Sequence, residues 1–457
     1  MNASAETSFI SKDPNFYKKF FSLLGFVVLQ NVIAYTINMA DNIMLGRYSE
    51  VALSGAAAVN MIFFMIQQFG ISVASTVVAL SSQYWGKMQT GPIRTFSGYA
   101  LKLSLIVSAC IIVAGTVFPE PMCRIFTDDP LILEEGVKYL RIVVWSFGLF
   151  CISNCFYAAL RAVGIVKISF YTSIITLIVN CVINYLLIFG SFGLPEMGIV
   201  GAAIGTITAR AVEFVIIVIY CKKDRVLALF DNIRELFRSD AVLRKDFYRI
   251  YIPNMGATVL WALASPIQTS ILGHISADAM AANSVSMTFY QYEKVIVVGA
   301  SSCSGIVIGQ AIGRGNDEIV KQYGRTLSVF DVILGVVLGL LMIALKAPLL
   351  SLYSLNPNAM QLAGELIVLQ AFIMMGMSYQ MPVSFGIIQG AGDAKFTMKM
   401  NLISTWAIVM PLTFLAAFLW HLPVVWIVFI IQSDQLFKCI PTFIKFRSYT
   451  WIRHLTR

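Results

Sequence analysis

Apolar runs of bilayer-crossing length recur through this chain from Phe20 to Ile444. One helix crosses the hydrocarbon core with about 20 residues, so the runs dictate a fold of repeated membrane crossings. Composition agrees: only 12% of residues are charged, about half of the roughly 25% found in soluble domains. A soluble enzyme, a disordered scaffold and a disulfide-rich secreted module are excluded. The net charge of +9 would suggest nucleic acid in a soluble domain. In a membrane chain it reads as Lys and Arg gathered on the cytoplasmic side, and no nucleic-acid partner is expected. The eight cysteines show no CxxC spacing and read as small buried side chains.

Twelve segments qualify as spans, the first at about 18–44 and the last at 424–446. The one long polar connection, 222–249, holds eight basic residues and separates two six-span halves. The chain therefore divides into an N-terminal tail (1–16), an N-lobe (17–221), a linker (222–249), a C-lobe (250–446) and a C-terminal tail (447–457). With the N-terminus placed in the cytoplasm, 24 of the 33 Lys and Arg fall on that side and three, Arg47, Arg124 and Lys346, fall outside. The positive-inside rule then puts both tails in the cytoplasm and the protein in the cell membrane.

The halves repeat each other at an offset of 227 residues. Leu45-Gly46 maps to Leu272-Gly273, Gln83 to Gln310, Gly86 to Gly313, Pro121 to Pro348 and Pro130 to Pro357. One residue is then inserted, so that Arg161–Lys167 faces Gln389–Lys395. Six spans per half is an even number, so both halves enter from the same side. The expected fold class is an all-α integral membrane protein, twelve transmembrane helices in two parallel six-helix repeats with a pseudo-twofold axis along the membrane normal. Parallel repeats are an architecture of secondary transporters, with the substrate site between them. No GxxxxGK[ST] sequence is present, so the chain itself carries no phosphate-binding loop.

Four motifs carry a family resemblance: Ala40–Gly46 closing the first span, the paired Gln-x-x-Gly-[Lys/Arg] at Gln83–Lys87 and Gln310–Arg314, Asn180–Asn184 followed by Gly198–Ala203, and the paired loops ending at Lys167 and Lys395. On these the chain resembles the MATE (multidrug and toxic compound extrusion) family over about residues 15–455. The resemblance implies a secondary antiporter, not an enzyme. It would export amphipathic, often cationic small molecules in exchange for H+ or Na+ by alternating access, as a monomer in the bilayer and without a cofactor. An exporter of lipid-linked precursors, from the same superfamily, is the alternative. Helix 1 lacks the proline common near its middle in the family: Phe26 stands where the second half has Pro253. The acids that one branch carries in spans 7 and 10 are absent too.

Asp41 is the main coupling candidate, because an acid within a span normally faces protein, water or an ion. At about 100° per residue, Gln30, Asn31, Tyr35, Asn38, Asp41 and Asn42 share one side of the first span, while Ser173, Thr176, Asn180 and Asn184 form a stripe on the fifth. If the stripes meet, they hold a proton on the carboxylate, or sodium at Asp41, Asn180 and Asn184; no other metal site is expected. An acid near the outer end of a span can also be merely solvated. By resemblance, Thr206 completes the cation site. Some relatives have a second acid at the position of Asn184, so this chain carries one titratable charge fewer there.

Candidates for the substrate cavity are Gln30, Asn31, Tyr35, Asn38, Asn60, Gln67, Met287, Tyr290 and Glu293. Glu293 suits a cationic ligand or a second protonation site, or else pairs with Lys294 or another helix. Thioethers and aromatics suit a surface that repacks around different ligands. Arg210 with Glu213, and Asp434 with Lys438, have the spacing of local ion pairs. Pro253, Pro266 and Pro382 mark bends. His274, His421 and His454 have no metal-ligand partner at useful spacing.

Overall fold

The computed structural model describes residues 9–229, 236–237, 240–273, 277–351, 353 and 356–456. His274, the first eight residues and part of 222–249 lie outside the described residues. Twelve helices are long and apolar enough to cross a membrane. They are α1 (Pro14–Tyr48), α2 (Glu50–Gly86), α3 (Thr90–Val117), α4 (Pro130–Ala162), α5 (Lys167–Ile188), α6 (Ile199–Lys223), α7 (Ala241–Gly273), α8 (Ala277–Gly313), α9 (Asp317–Leu350), α10 (Pro357–Ile388), α11 (Ala394–Leu419) and α12 (Val424–Arg447). A short helix, Pro119–Arg124, follows α3, and no strand occurs among the described residues. The twelve-helix all-α class expected from the apolar runs is what the chain adopts.

The helix ends are set by local chemistry. Asp129 caps α4 by accepting from the Leu131 and Ile132 N–H groups, with Pro130 in the first turn. Its repeat partner Asn356 does the same for α10, followed by Pro357. A proline in the first turn loses nothing, because that N–H has no partner inside the helix. The repeat also reaches the backbone. An offset of 227 carries Glu50–Gly86 onto Ala277–Gly313, and at the ends of these helices Met88 N–H→Trp85 C=O and Gly315 N–H→Ile312 C=O are both 2.9 Å. Packing follows suit: α4 lies on α2 and α3, and α10 lies on α8 and α9.

The inserted residue has a physical location. α10 widens to π-helical bonding over Pro382–Ile388, and a π-turn is how a helix accommodates one extra residue. Beyond it the repeat resumes. Gly164 N–H→Arg161 C=O and Gly392 N–H→Gln389 C=O are both 2.9 Å, and both glycines are left-handed, at φ +89° and +98°. The bends expected at Pro253 and Pro266 fall inside one continuous α7.

The chain forms two compact units, Leu29–Tyr251 and a second that joins Met1–Val28 to Ile252–Arg457. The second therefore takes in the start of α1, which the sequence reading places in a lobe at 17–221. Aromatic packing explains the difference. Phe16 lies 4.2 Å from Tyr323 and Phe20 5.3 Å from Phe330, ring centre to ring centre, and Ser11 N–H donates to Thr326 at 2.8 Å.

The linker expected over 222–249 is shorter than its charge suggests. Asp240 caps α7 by accepting from Val242 and Leu243, so the helix starts at Ala241. What precedes it is held to α3. Arg94 donates to the Leu227 carbonyl at 2.7 Å, Tyr99 to the Asp240 carbonyl at 2.9 Å and Lys102 to the Phe237 carbonyl at 3.1 Å. The C-terminal tail is docked as well. Trp451 is fully buried, stacks on Phe446 and donates to its carbonyl at 2.8 Å, while Arg453 and Lys445 flank Asp393 at 3.0 and 2.9 Å.

Candidate ion site

The unit Leu29–Tyr251 brings the polar sides of α1 and α5 together. Asn184 Nδ2 donates to Asp41 Oδ1 at 2.5 Å and lies 3.4 Å from Asn180 Oδ1. Asn180 and Asn184 are buried, and Asp41 is half-buried. The approach of α6 makes this possible. A Cβ on Gly205 would collide with Asn184 Oδ1, so a glycine at that point leaves the amide room to turn toward the carboxylate.

Asp41 and Asn180 line a cavity of about 50 Å³ with Asn38, Asn60, Tyr139, Ser146, Thr176, Thr206, Arg210 and Glu213. That volume holds an ion or a few waters, whereas drug-sized ligands need about 300–1,000 Å³. Beside the cavity, Asn184 Oδ1 is buried without a hydrogen-bond partner. Unsatisfied buried acceptors beside a carboxylate are suited to a cation or to water. Arg210 donates to Glu213 at 2.6 Å and lies 5.1 Å over the Phe150 ring, so Glu213 reaches the cavity already paired. The local pair expected at Arg210 and Glu213 exists, and it also forms part of the cavity wall.

Of the substrate candidates, Asn38 and Asn60 line this cavity. Gln30, Asn31 and Gln67 are half-buried, and Tyr35 is exposed; none of the four lines it. In the other unit the Tyr290 hydroxyl donates to Met377 Sδ at 2.8 Å, and Gln432 Nε2 lies 3.7 Å from Met287 Sδ. Lys294 sits 4.8 Å over the Trp261 ring, while Glu293 Oε2 is buried without a partner, so the two neighbours follow separate directions. Asp434 and Lys438 form the expected ion pair at 2.6 Å, and Asn401 accepts from Lys438 as well. The sequence reading missed Tyr139 and Ser146 of α4; only their place in the cavity wall beside Asp41 reveals them.

The MatE family model matches residues 27–186 and 253–415. The chain belongs to the MatE family. Its relatives include the "Probable multidrug resistance protein YoeA" of Bacillus subtilis, 22% identical over 88% of this chain and 87% of that one. The "Probable multidrug resistance protein NorM" of Thermotoga maritima is 23% identical over 92% and 90%. Among solved structures, a mutant of the Vibrio cholerae MATE transporter VcmN superposes with a TM-score of 0.86 at 16% identity, over 96% of this chain and 98% of that one. A MOP superfamily transporter from Pyrococcus furiosus superposes at 0.84 and 16%, over 98% of both chains. The two matched segments of this MatE chain correspond to its two halves. One of the paired Gln motifs also makes a visible contact, in which Gln310 accepts from Lys19 and ties the start of α1 to the end of α8.

Proposed function

We propose that the protein is an ion-coupled efflux antiporter of the membrane, exporting amphipathic, often cationic compounds in exchange for H+ or Na+. Both tails lie in the cytoplasm, as the Lys and Arg asymmetry requires. The observation that carries the reading is the Asp41 carboxylate, hydrogen-bonded to Asn184 and lining a small polar cavity with Asn180 and Thr206. The two relatives named as multidrug resistance proteins support the class of cargo.

The coupling follows from linkage. An ion moves a conformational equilibrium only as far as it binds the two states differently. Proton or sodium binding at Asp41 changes the charge that α1 presents to Asn180, Asn184 and Arg210. The shape of the Leu29–Tyr251 unit then depends on whether the ion is present. Exporting a cation against an ion gradient requires that the ion-bound form hold the cargo less tightly on the outward side.

The test is efflux of a fluorescent cationic dye from reconstituted vesicles, with pH and sodium gradients imposed separately. Wild type should respond to one of them, and Asp41→Asn should lose that response while still binding dye. Unchanged driven efflux in Asp41→Asn would remove Asp41 from the coupling. No driven efflux in wild type would leave export of a lipid-linked precursor as the function to assay.

A further inference from the structure

In the second unit, α9 carries an acid that the coupling at Asp41 does not use. Asp331 is completely buried, and neither carboxyl oxygen has a hydrogen-bond partner. The repeat gives this position a neutral counterpart. An offset of 227 carries Ser104 of α3 onto Asp331, and Ser104 is equally buried but satisfied, 3.1 Å from Cys155 Sγ. Packing confirms the register. Gly148 of α4 lies against Ser108 and Ile112, and its counterpart Met375 of α10 lies against Gly335 and Gly339, with the small and large residues exchanged. A serine is therefore sufficient to build this helix contact, and the carboxyl of the second half is not required by packing.

The surroundings of Asp331 are polar, uncharged and unsatisfied. Ser378, facing Gly335 one turn along, has a buried hydroxyl without a partner. The titratable group beside Asp331 is Tyr379 of α10, whose hydroxyl also reaches Ser328 of α9. From α1, Lys19 is engaged by Gln310, and near the start of α9 Tyr323 is bonded to Asp13; no ion pair of Asp331 occurs among the described residues. The π-helical stretch Pro382–Ile388 packs on α9 beside this cluster, and such turns recur at functional sites. A buried ionised carboxylate without a hydrogen-bond partner is far less stable than its neutral form.

We propose that Asp331 is a second proton site, holding H+ in this conformation and exchanging it during the transport cycle. The proposal rests on the antiport reading and deepens it. One proton traded for one monovalent cation moves no net charge, whereas a second proton carried inward makes the exchange electrogenic. The proton enters from the outer water, rides as the Asp331 carboxylic acid and leaves to the cytoplasm; no covalent bond to the protein other than O–H forms or breaks.

Two readouts on the full-length protein test this. In bilayers, the infrared stretch of a protonated carboxyl should show a component that persists in wild type, Asp41→Asn and Glu293→Gln, disappears in Asp331→Asn and Asp331→Ser, and is altered by pH or by dye. In vesicles clamped to equal pH on both sides and loaded with a non-leaking monovalent dye, an inside-negative potential of about 60 mV should raise the steady-state dye gradient about tenfold in wild type. Asp331→Asn and Asp331→Ser should abolish that response and keep efflux driven by a pH gradient. Asp41→Asn should lose both responses.

A carboxyl band that stays constant with pH and dye, together with potential-driven efflux in the Asp331 variants, would make the residue a fixed neutral acid and overturn the proposal. Loss of the band on adding sodium at constant pH would overturn the choice of proton. If wild type shows no driven efflux at all, the antiport reading fails, and the infrared arm still decides whether Asp331 exchanges a proton.

Discussion

The two halves place their candidate coupling acids, the half-buried Asp41 and the buried Asp331, at non-equivalent positions and treat them in opposite ways. Asp41 has Gln268 as its counterpart, and Asp331 has Ser104. Asp41 accepts from Asn184 and shares a polar cavity with Arg210 and Thr206. Asp331 has neither partner nor charged neighbour among the described residues. The difference teaches that duplication preserves caps, turns and helix contacts, because these are set by backbone geometry. The carboxyls are free to differ because no shared contact depends on them.

The comparison breaks most directly at Asp41. Asp41→Asn should reduce gradient-driven efflux by about 5–150-fold, the range of a typical coupling free energy, with dye binding retained in a fluorescence titration. Exchanging the acid's position should be costly in a different way. Ser104→Asp would bury an unpaired acid in the first half, at about 2.5–3.5 kcal/mol, and should lower the yield of folded protein in detergent at neutral pH. Asp331→Ser should cost little by the same assay. Equal losses from the two would remove the asymmetry.

A subtler probe leaves both acids in place. Gly205→Ala should push the Asn184 amide off Asp41. A hydrogen bond donated to a charged group contributes about 1.5–3 kcal/mol and here stabilises the ion-free carboxylate, so its loss should raise ion affinity, read from the gradient needed for half-maximal efflux, by about ten- to a hundredfold. Unaltered ion dependence in this variant would mean that Asn184 does not stabilise the carboxylate.

The repeated turns provide the smallest contrasts. Gly164 and Gly392 are both left-handed, but a Cβ at Gly392 would meet Leu455 of the docked tail at 2.6 Å, whereas at Gly164 it meets nothing within 4 Å. Gly164→Ala should cost about 1–2 kcal/mol from the backbone alone, and thermal unfolding should show a larger loss for Gly392→Ala. At the end of α2 the same kind of turn places Met88 at φ +59°, where the second half has Gly315 at φ +79°. Met88→Gly should stabilise by about 1 kcal/mol, visible as a small rise in melting temperature.

Much of the scaffold was legible because it rests on length and period. Twenty apolar residues cross a bilayer in any context, and a polar stripe at helical spacing marks one side of α1 or α5 whatever packs there. Asp41, Asn180 and Asn184 could be grouped for that reason, and Thr206 by resemblance. Tyr139 could not, since its place in the cavity depends on how α4 packs among its neighbours. Asp331 was legible in principle: it is an acid deep in an apolar run with no basic residue three or four positions away. Reading the repeat for its matches hid it, because it stands at a mismatch. The segment 222–249 misled for a related reason, since its charges suggest a free linker while Asp240 and the donors on α3 fasten it.

The π-turn of α10 acts as a phase corrector. A residue inserted into a regular helix rotates everything after it by about 100°, which would have swung Gln389–Lys395 away from the position its counterpart holds in the first half. By taking up the extra residue in one widened turn, the chain let one half grow without changing the direction in which its next loop emerges. Removing a single residue from Pro382–Ile388 would restore a plain α-helix and the shorter count of the first half. Up to Lys395, the one-residue difference between the two halves is thus confined to one widened stretch, lying against the helix that carries Asp331.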